Sequence, residues 1–297
     1  MKKEMNLTEI FDRAKKQLEG GNLNEGYKIG RHAFSVYYTN EQWEDFVAKM
    51  PQEAKDCFDE GKGSEMKRYT RKGHTYPPKM ASYASSSRFM YKMGQSVGGF
   101  EYEKQLTTGL GGFPANLDGY LKSKHLYVEA KCHELYGYSK PKLRVGHKKL
   151  LDGIVPTLNG RLAYSAPNGD LNLSWDGKDS GHFDLKQMLC HLSGIANKVL
   201  RGEEKKVNFI YLVYRPTEEL LEYVEKPSDK KRIQELYKEE KDACDPSMIK
   251  SIYGAILRYF NDVRRYGYNE AAIREMISAF EFRFCSQDDF KSVVESL

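Results

Sequence analysis

One stretch decides the fold: Pro114-Ala-Asn-Leu-Asp-Gly-Tyr-Leu-Lys-Ser-Lys-His-Leu-Tyr-Val-Glu-Ala-Lys131. From Leu126 to Lys131 its side chains alternate between apolar and polar, which is the period of a β-strand with one apolar face. Polar residues from Lys122 to His125 interrupt the apolar pattern. We therefore predict a hairpin whose two-residue turn is Ser123-Lys124.

This register places two acids opposite each other. With Lys122 paired to His125, Asp118 faces Glu129 across the strands, their Cβ atoms roughly 5 Å apart. Two carboxylates at that separation repel unless a cation or a proton lies between them. Lys131 follows on the same face, and an acid pair with a lysine suits a divalent metal and a scissile phosphate. The alternative is a solvent-exposed strand face with unrelated charges, since 30% of the chain is charged.

The composition permits nucleic acid as a partner. A chain of 297 residues can form one or two domains, and its formal net charge is +5. The five cysteines are scattered without a C-x-x-C pair, so neither a structural zinc site nor a disulfide framework is expected. No apolar run has the length of a membrane span, and the N-terminus lacks a hydrophobic signal region. We expect a soluble, cytoplasmic protein with no membrane partner.

The elements around the hairpin predict a mixed sheet. A capped amphipathic helix and an alternating strand precede the hairpin, and a long helix and an apolar strand follow it. The last strand is almost continuously apolar and aromatic, which is typical of a strand buried on both faces. The predicted order is αβββαβ, an α/β (α+β mixed sheet) class, over residues 85–97, 100–107, 116–122, 125–133, 184–201 and 207–214.

Three regions are expected along the chain. Residues 1–80 form an N-terminal helical region with a basic linker, residues 81–215 form the core, and residues 216–297 form a C-terminal helical region. The core contains an insertion, 135–183, with a further hairpin over 161–166 and 171–175. Within the C-terminal region, residues 230–241 are charge-rich and predicted to be solvated.

This order of elements, with its acids on the hairpin, resembles the core of the PD-(D/E)XK nuclease superfamily, the restriction-endonuclease-like fold. Leu117-Asp118 matches the first acidic motif, and Glu129-Ala130-Lys131 matches the E-x-K motif. Gln187 matches the glutamine that many phage-exonuclease-like members carry on the following helix. The resemblance covers residues 85–215, and its motif form looks like that of bacterial putative restriction endonucleases.

The sequence departs from that pattern in three places. Leu117 stands where a proline is usual, and the helix 85–97 contains no glutamate. A further acid could come from the following strand, where Glu103 is the candidate beside Glu101. His191 stands four residues after Gln187, where exonuclease-like members often carry tyrosine, so an exonuclease subtype is not favoured.

The resemblance implies a site and a cofactor. Asp118, Glu129 and the Ala130 carbonyl would hold Mg²⁺, for which Mn²⁺ can substitute. Lys131 would position or deprotonate the attacking water, and Gln187 would orient substrate or water. His125 and His133 are predicted to be surface residues and Cys132 a core residue. Basic residues in two runs are the candidates for nucleic-acid contacts: Arg68, Arg71, Lys140, Lys142, Arg144, Lys148 and Lys149.

The predicted activity is that of a metal-dependent deoxyribonuclease, a restriction-type or defence endonuclease acting on DNA. Double-strand cleavage needs two active sites, so a homodimer is expected. One alternative is a catalytically silent nucleic-acid-binding module of the same fold. Another is an exonuclease or an RNA nuclease, which shares the chemistry.

Overall fold

A computed structural model describes residues 6–21, 28–29, 33–34, 37–61, 65–71, 73–111, 114–137, 141–179 and 183–297. The α-helices among them are α1 Leu7–Leu18, α2 Asn40–Ala48, α3 Gln52–Glu60, α4 Ser86–Gln95, α5 Val145–Ile154, α6 Leu185–Leu200, α7 Glu218–Glu222, α8 Pro227–Ala243, α9 Pro246–Arg264, α10 Glu270–Ser278 and α11 Phe290–Glu295. The strands are β1 Lys28–Ile29, β2 Ala33–Phe34, β3 Tyr69–Arg71, β4 His74–Tyr76, β5 Glu101–Leu106, β6 Ala115–Leu121, β7 Leu126–Lys131, β8 Leu162–Ser165, β9 Asn172–Trp175, β10 Lys178–Asp179, β11 Val207–Val213 and β12 Phe280–Ser286.

The chain has a mixed α/β fold around a five-stranded sheet of order β12-β11-β7-β6-β5. β5, β6 and β7 form an antiparallel meander, whereas β11 lies parallel to both β7 and β12. The elements α4, β5, β6, β7, α6 and β11 follow one another in the predicted order. The insertion between β7 and α6 adds α5 and the three-stranded sheet β10-β9-β8, which contains the predicted β8–β9 hairpin.

The hairpin has the predicted register but a different turn. Gly119 pairs with Val128, and Leu121 pairs with Leu126. A 3₁₀ turn, Lys122–Lys124, and a left-handed His125 (φ +47°) form a four-residue loop instead of the predicted two-residue loop. Both loops give the same strand pairing, because the longer loop differs only in leaving Lys122 and His125, the outermost predicted pair, unpaired.

The polar face of the hairpin is buried, contrary to the solvent-exposed alternative. Every residue of β7 is buried, including Glu129 at 2% and Lys131 at 8% exposure. α4 covers the apolar face so closely that a Cβ on Gly119 would lie 2.7 Å from Met90 Cε. α6 lies against the other face and contacts β7 through Gln187 and Lys198, among others. β11 is likewise buried along its whole length, as predicted.

The C-terminal region differs from the prediction in two ways. It is not wholly helical, because β12 pairs in parallel with β11 and forms an edge of the sheet. The charge-rich stretch 230–241 is not wholly solvated either, since it belongs to α8 and buries Ile233, Leu236 and Glu240. These three residues share one helix face, and that face packs inward.

The N-terminal helices follow the predicted pattern. α1 has its predicted bounds, and Pro51 separates α2 from α3. α1 contacts α7, α8 and the turn Glu134–Tyr136, while α3 packs on β5. All five cysteines are free, and Cys132 is in the core as expected. Among the described helices, none combines the length and apolarity needed to cross a membrane.

Candidate active site

A row of polar side chains crosses the sheet where β6 and β7 diverge. The pairs on either side of Glu103 place it opposite Asp118, and the hairpin register places Asp118 opposite Glu129. On the next strand, Tyr211 pairs with Glu129. Residues directly opposite one another in a sheet are close neighbours. The fold therefore collects three acids from three successive strands of the sheet.

The side chain of Asp118 hydrogen-bonds to the backbone of β7 at the point where the backbone pairing between β6 and β7 ends. Its Oδ2 accepts a hydrogen bond from the Ala130 N–H at 2.8 Å. The N–H and C=O of one strand residue point to the same side, so the Ala130 carbonyl also faces β6. The predicted ligand set, Asp118, Glu129 and the Ala130 carbonyl, therefore shares one corner of the sheet.

Glu129 is held between two nitrogen-bearing side chains. Its Oε1 accepts from Lys131 Nζ at 2.6 Å, and its Oε2 lies 2.9 Å from His191 Nε2. That second contact lacks the alignment of a hydrogen bond, and Oε2 has no hydrogen-bond partner among the described residues. Burial by itself raises the pKa of Glu129, but Lys131 and His191 outweigh it and lower the pKa to about 2. Glu129 is ionised at neutral pH.

Lys131 connects the acid to the following helix. Its Nζ also donates to Gln187 Oε1 at 2.6 Å, and the backbone N–H of Gln187 is capped by Asp184 at the start of α6. Burial lowers the pKa of Lys131, but Glu129, Glu134 and Asp118 outweigh this and raise it. A lysine in this state is a cation, so the geometry favours positioning and charge neutralisation over deprotonation of a water.

The surroundings of Asp118 and Glu103 disfavour the ionised form of each carboxyl. Burial, followed by the charges of Glu129 and Glu103, raises the pKa of Asp118 well above its usual value. Burial and the charge of Glu65 raise the pKa of Glu103 to about 7. Glu103 also has a left-handed backbone, φ +51°, which costs energy for a residue other than glycine. Crowded carboxyls and a strained backbone are typical of functional sites.

These groups line a cavity of about 560 Å³ beside the start of α4. Ser87 donates to Glu103 at 3.3 Å, and Ser86 donates to the carboxylate of Glu134. His133, predicted at the surface, lies half-buried in the wall with its Nδ1 2.9 Å from Asp12. Burial lowers the pKa of His133, but Asp12 and Glu134 raise it to about 9. His125, in contrast, lies at the exposed turn as predicted.

The donor set matches a hard cation in its chemistry. No three His, Cys, Asp or Glu side chains in the described part of the chain are arranged to hold a metal ion together. Two carboxylates, a backbone carbonyl and water are nevertheless enough for Mg²⁺, which usually keeps several waters. Oε2 of Glu129 is buried beside His191 but makes no aligned hydrogen bond among the described residues, so it is the carboxylate oxygen left for a cation. Asp118, Glu129 and Ala130 are therefore the residues that could hold Mg²⁺ or Mn²⁺.

The predicted nucleic-acid-binding residues differ in whether a neighbouring acid neutralises their charge. Lys142 pairs with Asp170 at 2.5 Å and Lys148 with Asp152 at 2.7 Å, so their charges are partly neutralised. Arg68 donates to Asn40. Arg144 precedes α5 and Lys149 lies exposed on it. Lys140 and the side chain of Arg71 lie outside the described residues.

Two residues at the site were not among the predicted ones. His191 lies against Glu129, and its spacing of one helical turn from Gln187 was the available signal. Glu240 reaches the neighbourhood of the site from α8, and its carboxylate accepts the Tyr211 hydroxyl at 2.6 Å. A single buried glutamate in a charge-rich helix gives no comparable signal in the sequence.

Comparison with known proteins adds no identification. No protein-family model, no curated protein and no solved structure matches this chain.

Proposed function

We propose that this protein is a metal-dependent nuclease that hydrolyses phosphodiester bonds in DNA, as a restriction-type or defence endonuclease with the PD-(D/E)XK core. One observation carries the proposal: Asp118, Glu129, Lys131 and Gln187 meet in one cavity. Their acid, acid, lysine and glutamine chemistry is that expected for hydrolysis of a phosphate ester. The order of elements around the sheet supports the same assignment.

Each of these side chains has a role that follows from its surroundings. Mg²⁺ bound at Asp118, Glu129 and the Ala130 carbonyl would lower the pKa of a bound water and neutralise charge on the phosphate. Lys131, as a cation, would hold the attacking water and a phosphate oxygen. Gln187 orients the Lys131 ammonium through its amide oxygen. Asp118 would lose its proton when it acquires a cationic partner.

A second candidate function is a catalytically silent DNA-binding module. The observation in its favour is that Lys131 already occupies Glu129 Oε1 and that no cluster of three metal-ligating side chains occurs among the described residues. A module of this kind would bind DNA with a strong salt dependence and would not cut it.

Incubation with supercoiled and linear DNA, in Mg²⁺ and in EDTA, tests the proposal. We expect Mg²⁺-dependent nicking or linearisation of circles by the wild type, and a loss of roughly 10³-fold or more in Lys131→Ala. Lys122→Ala, on the exposed turn of the same hairpin, is the matched control and should retain the activity. Equal cleavage by Lys131→Ala and the wild type would exclude this site.

The same assay distinguishes an endonuclease from a silent module, an exonuclease and an RNA nuclease. Salt-dependent DNA binding without any Mg²⁺-dependent cutting would favour the silent module. Degradation of linear DNA alone would indicate an exonuclease, and a matched RNA substrate tests for an RNA nuclease. Double-strand cleavage would require two sites, so the proposal includes a homodimer, which sedimentation of the protein with and without DNA tests.

A further inference from the structure

A second cavity, of about 320 Å³, lies on the other side of Lys131 and Gln187. Lys131, His133, Glu134 and Gln187 line both this cavity and the one that contains Asp118. The cavities therefore share a wall, and an occupant of the second one would lie beside the groups assigned to the phosphate. The volume is that of a small ligand pocket.

The second cavity contains a buried carboxylate that is only half satisfied. Glu240 is 2% exposed, and its Oε1 accepts the hydroxyl of Tyr211 at 2.6 Å. Its Oε2 has no hydrogen-bond partner among the described residues. Leaving such an acceptor unpaired in the interior costs free energy, so a ligand with an N–H donor would gain by supplying the missing bond. Burial outweighs the charge of Lys131 and raises the pKa of Glu240 to about 7, so Oε2 is an ionised acceptor in most molecules at pH 8.

The remaining walls are largely apolar and partly aromatic. Phe183 packs edge-on against Tyr211, with 5.3 Å between the ring centroids. The aliphatic side chains of this cavity come from the insertion and its flanks: Leu135, Pro141, Leu171, Leu173 and Leu185. Apolar and aromatic walls with a buried hydrogen-bonding group are features by which proteins hold a single nucleobase.

Cationic side chains also line this cavity. Lys131 and Lys186 both line the cavity, and His133 lines it as well, with a pKa of about 9 that keeps it charged at neutral pH. A base in the cavity would thus leave its sugar-phosphate near positive charge. The cavity combines apolar walls, the half-satisfied acceptor of Glu240 and a charged margin in which the acids Glu134 and Asp184 accompany the cations.

We propose that this second cavity binds one nucleobase with an exocyclic amino group, which donates a hydrogen bond to Glu240 Oε2. The proposal rests on and extends the proposed nuclease function, in which the base would be rotated out of a DNA strand next to the phosphate at Lys131. A free nucleotide has the same chemistry and is the other source of such a base.

Titration with free deoxynucleosides at pH 8, where most Glu240 carboxyls are ionised, and in EDTA so that no cleavage intervenes, tests the pocket alone. Adenine, cytosine and guanine have an exocyclic amino group and thymine does not. We therefore expect deoxyadenosine, deoxycytidine or deoxyguanosine to bind at least tenfold more tightly than thymidine, since one buried hydrogen bond is worth about 1.4 kcal/mol. Glu240→Gln presents an amide in place of the acceptor and should remove that preference.

Glu239→Gln is the matched control, because Glu239 is the neighbouring residue on α8 but is exposed and pairs with Arg232. It should bind nucleosides as the wild type does. Thermal denaturation checks that Glu240→Gln folds, which we expect because the change is isosteric and Tyr211 keeps an oxygen acceptor. Equal binding of all four nucleosides, binding of none, or an unchanged preference in Glu240→Gln would overturn the proposal.

DNA with 2-aminopurine at one position distinguishes the two sources of the base. This analogue keeps an exocyclic amino group and fluoresces more strongly when it leaves the base stack. We expect a rise on binding in EDTA that Glu240→Gln abolishes and Glu239→Gln retains. Nucleoside binding without this rise would assign the pocket to a free nucleotide.

Failure of the nuclease proposal gives a different result from failure of this one. If the DNA is not cut but the nucleoside preference depends on Glu240, the pocket stands and the nuclease assignment falls. If cutting depends on Lys131 but no nucleobase is bound, the nuclease assignment stands and the pocket assignment is wrong.

Discussion

The two ends of the hairpin each bury a carboxylate on the same face, but the groups that surround the two carboxylates differ. Near the turn, Glu204 accepts from the hydroxyls of Tyr120 and Tyr127, both at 2.8 Å, and lies 2.7 Å from His125 Nδ1. At the open end, Glu129 pairs with Lys131 and lies beside His191, but its Oε2 makes no aligned hydrogen bond among the described residues. One step along the face, hydroxyl and imidazole partners that satisfy a carboxylate give way to charged neighbours that leave one carboxylate oxygen without an aligned hydrogen bond.

This difference distinguishes the cluster around Glu204, which stabilises the fold, from the candidate active site at the open end. Burial raises the pKa of Glu204, but hydrogen bonds from Tyr120, Tyr127 and His125 outweigh it and lower the pKa. Asp118, in contrast, is crowded by like charges that add to burial. A satisfied polar network makes the hairpin rigid, whereas an unsatisfied one costs stability unless a ligand completes it. Substitutions at the two ends should therefore affect different properties of the protein.

The largest expected effect is on activity at the open end. Glu129→Gln should reduce Mg²⁺-dependent DNA cleavage by roughly 10³-fold, because it removes a charged oxygen ligand and the acid partner of Lys131. Glu204→Gln, the same change at the turn end, should retain cleavage within a few-fold. Initial rates on supercoiled DNA measure both. Similar losses in the two variants would show that the ends do not differ in function.

The next effect is on stability at the turn end. Glu204→Ala should lower the free energy of unfolding by about 2–4 kcal/mol, because it leaves two buried tyrosine hydroxyls without their acceptor. Urea denaturation followed by circular dichroism measures the change. A loss under about 0.5 kcal/mol would mean that the cluster contributes no more than an ordinary surface group.

A smaller, opposite effect is expected for Asp118→Asn. The amide keeps an oxygen for the Ala130 N–H, removes a crowded charge and should stabilise the metal-free protein by about 1 kcal/mol at pH 8. The folded state raises the pKa of Asp118, so the wild type loses stability as pH rises above the unfolded value of about 4. The advantage of Asp118→Asn should therefore grow from pH 4 to pH 8 in urea titrations with EDTA.

Two outcomes would contradict that prediction. A variant less stable than the wild type at pH 8 would mean that the Asp118 charge is well compensated. A difference that shrinks as pH rises would mean that the pKa of Asp118 is lowered in the folded state.

The smallest effect is expected for Tyr127→Phe at the turn end. It removes one of several donors to Glu204 and should cost about 0.5–1.5 kcal/mol. Lys198 Nζ, which lies 3.6 Å from Glu204, can take up part of the loss. Thermal and urea denaturation measure it, with Tyr164→Phe, which removes a hydroxyl that donates to the exposed Asp152, as the control. A cost as large as that of Glu204→Ala would show that this hydroxyl alone holds the cluster together.

Local patterns predicted the hairpin, its register and the elements beside it. A period of two residues fixes which side chains share a face, so Asp118 and Glu129 could be placed without coordinates. The helix with Gln187 could be predicted from its apolar stripe, but its rotation about its own axis depends on how it packs on the sheet. That rotation places His191 beside Glu129.

Contacts between distant segments escaped prediction. β12 is separated from β11 by four helices, and the two strands pair over a long sequence separation. Glu240 lies in a helix whose composition is that of a solvated surface, and only the position of α8 buries it. The Glu204 cluster likewise joins a loop after α6 to the hairpin. These contacts depend on tertiary structure rather than on residue pattern.

The wall that Lys131 and Gln187 form between two cavities has a consequence for selectivity. Ligands that both act on one shared group are energetically coupled, and the coupling is the same in either direction. A base that shifts the Lys131 ammonium on one side would change how well a phosphate is held on the other. Discrimination between DNA sequences would then appear in how tightly the phosphate beside the bound base is held at Lys131.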